Sequence, residues 1–370
     1  MTRGGWAFRL PPIEGELLSS CLARNALAHG TSPQRFLELF WPGEATWSRD
    51  LDRNPAALTR PGKAGICWIG EIAGCLGIPA DRVRQASLQG WREALGAGRL
   101  PSHGDTPLLL SVGVYHRTRL RHGLQYCPEC LGEGTAHYRL AWRLAFAVAC
   151  CKHGRALLDA CPRCDAPVVP HRASACLTDC HVCGTSLAGA GGGGEVPARV
   201  LGLQQGLFAL LGPGRPNGTV PPWAARDAFD GVRALLAVSA ARPVQRELRA
   251  MLGLGAATFP PAPRLRFEQS RIGARTACLD TVAAWLTNWP ATFRSGAASA
   301  ALTQRSFARA HPDGVVAAEV ASLPAGIPRP RPAHVPLLAT PALQRLRRKS
   351  PAAYRAARAA IILRRIGRTA

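Results

Sequence analysis

Nine of the 13 cysteines fall between residues 126 and 188, and eight side chains there have the spacing of metal ligands. They form four half-sites: Cys127-Pro-Glu-Cys130, Cys150-Cys-Lys-His153, Cys161-Pro-Arg-Cys164 and Cys180-His-Val-Cys183. Two residues between ligands let one tight turn aim both side chains at one ion. Two such turns complete a tetrahedron of thiolates and imidazole, which suits zinc. Nineteen residues separate the first two half-sites, 15 the last two, and only seven lie between His153 and Cys161. This favours sequential pairing, giving one set of three cysteines and a histidine and one set of four cysteines, with an interleaved pairing left open. Each set takes four ligands from the protein, so two structural zinc ions are expected, with no coordination position for an activated water. Redox-active CxxC chemistry suits a single motif better than four in tandem. Cys151, Cys176 and His181 are spare ligands, and Cys151 could stand in for Cys150. Cys21, Cys67, Cys75 and Cys278 sit on apolar helical faces and read as core.

The elements that must carry this module read as mostly α. With 370 residues, 47% hydrophobic and 19% charged, the chain can bury real cores and divides into two or three domains. Residues 1–125 read as an N-terminal helical domain. Leu17, Leu18, Cys21, Leu22 and Leu27 have helical spacing within 16–29, and Ser32-Pro33 starts a second helix. A tandem zinc module follows at 126–187. The Ala/Gly-only run at 188–194 opens a flexible linker that extends to 197. Residues 198–370 form a C-terminal helical domain with a basic tail, including helical patterns at 276–289 and 351–367 and Pro-rich connectors at 259–263 and 324–336. The longest apolar stretch in a helical reading, 140–151, is broken by Arg143 and is too short to span a membrane. The first residues lack the apolar run of a secretory signal, so the cysteines are read in a reducing cytoplasm.

Charge narrows the partners. Lys and Arg total 46 against 23 Asp and Glu, a formal +23, and residues 320–370 hold 11 basic and no acidic side chains. Such a surplus calls for a polyanion, nucleic acid first. Seven ligand thiolates and two zinc dications change the count by −3, taking the chain from +23 to +20 and residues 126–188 from +1 to −2. The metallated module is therefore a scaffold or a protein-contact surface rather than a phosphate clamp.

Two segments suit DNA better. Residues 69–88 place Ala73, Gly77 and Val83 where a helix-turn-helix needs a small residue, a turn glycine and a packing residue. Arg82, Arg84 and Gln85 then face outward, within reach of base edges or phosphates. An ordinary αα-hairpin has the same pattern. The tail carries Arg345, Arg347, Arg348, Lys349, Arg355, Arg358, Arg364, Arg365 and Arg368. Tyr354, Ala357 and Ile361 form its apolar stripe, so one face docks while arginines meet phosphates. A solvated helix or a membrane-surface helix are the other readings. No HExxH, Walker or deaminase motif occurs, and the acidic residues show no clustering.

Taken together these segments resemble the TniQ/TnsD family of transposition proteins. The resemblance rests on the run 10–24 (LPPIEGELLSSCLAR), Trp47-Ser-Arg-Asp-Leu-Asp52, Tyr126-Cys-Pro-Glu-Cys130, Tyr138-Arg-Leu-Ala-Trp-Arg-Leu144, Cys150-Cys-Lys-His-Gly154, Leu157-Leu-Asp159 and Cys161-Pro-Arg-Cys164. It covers residues 10 to about 187, with Trp285–Phe293 similar to a C-terminal segment of the family and Cys151 departing from its usual pattern. The resemblance implies a non-enzymatic adaptor that selects the target site, meeting target DNA or a target-recognition complex. It also implies recruitment of an AAA+ ATPase regulator and, through it, the transposase. The other classes are a zinc-containing helix-turn-helix transcriptional regulator and an enzyme, a transposase or nuclease with a scattered carboxylate triad.

Overall fold

A computed structural model of the chain describes residues 5–41, 50–53, 68–92, 94–95, 106–110, 123–189, 191, 193–212, 219–257, 266–326, 350, 352, 354 and 355. Two compact units divide it, 1–325 and 326–370. Among the described residues there are eleven α-helices and no strand, only isolated antiparallel bridges.

The N-terminal helices are α1 (Leu18–Ala28), α2 (Pro33–Phe40), α3 (Trp68–Leu76) and α4 (Ala80–Gln85). Ser32 caps α2 by accepting from the Arg35 N–H at 3.3 Å, with Pro33 in the first turn. In the helix-turn-helix-like hairpin α3–α4, Gly77 takes φ +69°, a conformation that favours glycine, while Val83 is fully buried and Ala73 nearly so. These helices close over their own small core, which includes Trp6, Leu22, Phe36, Trp41, Trp68 and Ile72.

A second, larger core runs from Leu17 to Val320. The cysteine-rich segment, with α5 (Pro128–Gly132) inside it, contributes to this core. So do α6 (Ala198–Leu211), α7 (Ala225–Ser239), α8 (Arg242–Met251), α9 (Ile272–Leu286), α10 (Ala291–Ser299) and α11 (Gly314–Ala321). Helix α9 is central, packing against α6, α7, α8 and α10.

Two local expectations change. The apolar stretch 140–151 is not one helix. A 3-10 turn at Leu140–Arg143 leads into buried chain from Leu144 to Cys150. Side chains from elsewhere satisfy much of its backbone, as buried polar groups require. Second, the Ala/Gly run is tied down where it is described. The Ala156 N–H donates to the Gly194 carbonyl at 3.1 Å, and Gly189 N–H to the Pro128 carbonyl at 3.3 Å. A Cβ at Gly193 would fall 2.2 Å from the Ala156 carbonyl oxygen, so close backbone approach explains the glycine there. Cys67, Trp47 and most of the helical pattern at 351–367 lie outside the described residues.

Candidate metal centre

Three of the half-sites are copies of one backbone device. In each, the first cysteine's N–H donates to the carbonyl five residues on, and its carbonyl accepts from the N–H four residues on. For Cys150 the partners are Arg155 and Gly154, both at 2.8 Å. Cys161 pairs with Ala166 and Asp165, and Cys180 with Thr185 and Gly184, all at 2.9 Å. The fifth residue of each turn has positive φ: Gly154 +67°, Asp165 +56°, Gly184 +69°. Glycine and aspartate tolerate that region. The remaining half-site is built differently, with Pro128 starting α5 so that Cys127 and Cys130 lie one helical turn apart.

These turns bring the ligand atoms into two groups, each within 4.8 Å: Cys127, Cys130, Cys150 and His153, and Cys161, Cys164, Cys180 and Cys183. In the first, His153 Nδ1 lies 3.3, 3.4 and 3.5 Å from the sulfurs of Cys127, Cys130 and Cys150, and Cys130 Sγ is 3.6 Å from Cys150 Sγ. In the second, Cys161–Cys183 and Cys164–Cys180 are each 3.6 Å apart. A tetrahedral zinc ion with ordinary bond lengths sets sulfur–sulfur edges of about 3.8 Å and sulfur–nitrogen edges of about 3.5 Å. Both clusters could therefore hold metal ions, and the donor sets are compatible with zinc. His153 turns Nδ1 inward and pairs Nε2 with Glu133 Oε1 at 3.0 Å, the outer carboxylate that fixes a ligating imidazole's orientation. Lys152 also pairs with Glu133.

The spare candidates stay out of both clusters. Cys151 lies 3.7 Å from Gln204 Nε2, and Cys176 lies 3.0 Å from Thr178 Oγ1. His181 is outside too, and burial, followed by Arg172, lowers its pKa. Two tyrosines stitch the clusters together: Tyr126 donates to the Ala160 carbonyl at 3.1 Å and Tyr138 to the Leu177 carbonyl at 2.9 Å, both hydroxyls buried.

The motif residues upstream of the clusters close on one another. Glu16, fully buried, accepts from Ser20 Oγ at 2.8 Å, from the Ile13 N–H at 2.9 Å and from two nitrogens of Arg24 at 2.7 and 2.8 Å. Ser20 Oγ accepts in turn from the Tyr138 N–H at 2.9 Å. Arg143, fully buried, reaches both Asp50 and Asp52. Burial pushes the Asp52 carboxyl up to about 6 against the pull of Arg143; Asp50 adds to the rise and Ser19 hydrogen bonds oppose it. Residues 7–157 match the family model of TniQ. Over these residues the chain carries a TniQ domain. No curated protein matches it.

The TniQ domain marks the chain as a transposition-associated protein. It contains the whole of the first cluster and stops before Cys161, so the second cluster lies beyond the matched residues. Sequence spacing points to the eight ligand positions but not to Glu133, Gln204 or Tyr126, whose partners are distant in sequence. On α4, Arg82, Arg84 and Gln85 are exposed, and Arg84 pairs with Asp81. In the tail Arg355 is exposed. Arg345, Arg347, Arg348, Lys349, Arg358, Arg364, Arg365 and Arg368 lie outside the described residues. No helix among the described residues is long and apolar enough to cross a membrane.

Proposed function

We propose that this chain is a non-enzymatic adaptor of transposition that selects the target site and recruits an AAA+ ATPase regulator, which brings the transposase. One observation carries the reading: charged signature residues of the TniQ domain close on one another as buried pairs. Glu16 meets Arg24, and Asp50 and Asp52 meet Arg143. Charges used this way brace a rigid scaffold rather than form a reacting centre. Two structural zinc ions stiffen it, one on Cys127, Cys130, Cys150 and His153, the other on Cys161, Cys164, Cys180 and Cys183. DNA contacts come from Arg82, Arg84 and Gln85 on α4 and from the basic residues of 320–370.

Reconstituted transposition with an AAA+ ATPase regulator and a transposase from the same source tests the adaptor role. Targeted insertion is expected to require this protein, and the protein to co-elute with the ATPase. Unchanged insertion in its absence overturns the reading. Specific control of a neighbouring promoter would favour the transcriptional regulator suggested by the α3–α4 hairpin. Removing residues 341–370 deletes nine Lys and Arg. It is expected to weaken duplex binding and flatten the slope of log affinity against log salt by about three to six units. An unchanged slope would move DNA contact to α4 or to a partner.

A further inference from the structure

Three of the four half-sites follow residues that are gripped by side chains of the C-terminal helices. Buried Gln204 on α6 accepts from the N–H groups of Val148 and Ala149 at 2.8 and 3.0 Å and donates to the Ala149 carbonyl at 2.9 Å. The next residue is Cys150. Fully buried Arg275 on α9 donates to the Ala145 carbonyl at 2.7 Å and to Gln125 Oε1 at 2.9 Å. Gln125 stands two residues before Cys127 and donates onward to the Trp142 and Leu144 carbonyls, both at 3.2 Å. Asp159, two residues before Cys161, accepts from Arg271 Nε at 3.1 Å and from the Ile272 N–H at 2.8 Å. Arg271 continues to Asp165, the residue after Cys164, at 2.9 and 3.1 Å.

We propose that Gln204, Arg275 and Arg271 are positioning residues for the metal clusters, so that metal binding and docking of α6 and α9 are thermodynamically linked. The proposal rests on the reading of the two clusters as zinc sites. A metal ion tolerates ligand displacements of only about 0.2 Å. Within a half-site the turn sets the spacing of its two ligands, but it does not set where the turn sits. That placement comes from the chain leading into it. Among the described residues this chain lies in no sheet, only in isolated bridges, and side chains 55 to 150 residues away in sequence supply many of its hydrogen bonds. Free energy that places the turn lowers the cost of metal binding. By reciprocity, bound metal stabilises the same helix contacts. The connection is local: Gln204 serves the first cluster, while Arg271 grips both sides of the Cys161–Cys164 turn of the second.

The test uses full-length protein and the variants Gln204→Met, Arg271→Met and Arg271→Lys. Zinc affinity is read by competition with a chromophoric chelator, and cobalt(II) absorption separates a site with one imidazole from an all-thiolate site. Outer partners of metal ligands change affinity by about 10–100-fold, so about a tenfold loss at the first cluster alone is expected for Gln204→Met. Arg271→Met should show the same loss at the second cluster alone, with Arg271→Lys in between. Arg271 is 47% exposed at its side chain, and Asp159 keeps the Ile272 N–H and Arg275 without it, so the variant is expected to fold, which its melting temperature checks. If neither variant shifts affinity, or if each weakens both clusters in parallel with a lowered melting temperature, the residues are ordinary core and the proposal falls. If the wild-type protein binds no zinc or cobalt, the underlying metal reading falls with it.

Discussion

The two clusters share their half-site spacing and differ in their setting. In the first, the three cysteines are nearly inaccessible, His153 is braced by Glu133, and the ligands lie within the residues matched by the TniQ family. In the second, Cys161 and Cys180 are buried, Cys183 is half-buried and Cys164 is exposed, and the family match has ended. The first cluster joins α5 to the buried chain 144–150. The second closes the segment between Cys164 and Cys180, whose 3-10 turn at Pro170–Arg172 packs against α1 and α2. The first therefore has all three cysteines inside the core, whereas the second reaches that core through Cys161 and Cys180, leaves Cys164 at the surface and clips a connecting segment. Similar ligand chemistry can found a domain or merely fasten one.

The largest effect is expected at the first cluster. Apparent binding free energies of structural zinc, about 10–16 kcal/mol, match or exceed the about 5–15 kcal/mol that holds a typical domain. Cys130 is 3% exposed within the main core. Cys130→Ser should therefore cost the cooperative unfolding transition itself. Circular dichroism and calorimetry check this. A variant that still melts cooperatively near the wild-type temperature would reduce the first cluster to a clip like the second.

A somewhat smaller loss is expected at Arg143, which lies between the two half-sites of the first cluster. Arg143→Met leaves Asp52 buried without its cation and Asp50 with Arg53 alone, 3.5 Å away, and breaking a buried pair costs about 3–5 kcal/mol. Replacing Asp52 by Asn in the same chain should recover part of that loss, because it removes the stranded charge. Urea titration reads both. Equal stability of the single and double variants would mean that Arg143 contributes packing rather than charge.

At the second cluster the expected effect is smaller again. Cys164 is exposed, so its loss opens no core cavity. Cys164→Ser should lower the metal content from two ions to one and loosen 161–187 and the Arg271 contacts at the start of α9, while the rest of the helical signal and the first cluster persist. Elemental analysis and hydrogen exchange measure it. Slowly exchanging amides lost across α6 to α11 would erase the contrast between the clusters.

How much of the molecule is legible in the sequence depends on range. The half-site spacings, the Ser32-Pro33 helix start and the Gly77 turn are local, and each has a local cause. The 140–151 stretch misleads because its apolar composition suits a buried helix or a buried extended chain equally well. What decides it is hydrogen-bonding from Gln204 and Arg275, 55 and 130 residues away from their partners. The Ala/Gly run has the composition of a linker, but Gly193 answers to the Ala156 carbonyl, which no local pattern reveals. The run 10–24 signals the family by likeness alone; its physical content is the set in which Glu16, just ahead of α1, meets Ser20 and Arg24 on that helix. The basic tail is legible only as charge.

The smallest effect concerns how the second cluster's connecting segment is seated. His171 lies in the 3-10 turn that rests on α1 and α2. Burial, reinforced by Arg172 and His181, lowers its pKa to about 3. An unfolded histidine titrates near 6.5. Between about pH 6.5 and 3 the unfolded chain therefore binds more protons here than the folded one, and stability falls as pH falls. The full term at pH 5 is about 2 kcal/mol at 1.36 kcal/mol per unit. Part of the residue's surface meets solvent, and screening reduces the effect to about 1 kcal/mol. His171→Gln, which has no titrating ring, should flatten the acid limb by that amount while leaving stability above pH 7.5 nearly unchanged. Melting temperatures from pH 5 to 8 in excess zinc make the comparison, since thiolate protonation at the clusters is common to both proteins and cancels in the difference. Parallel curves would mean that the imidazole is solvated in the folded state, and that the connecting segment is held by its clip alone rather than by its seat on the N-terminal helices.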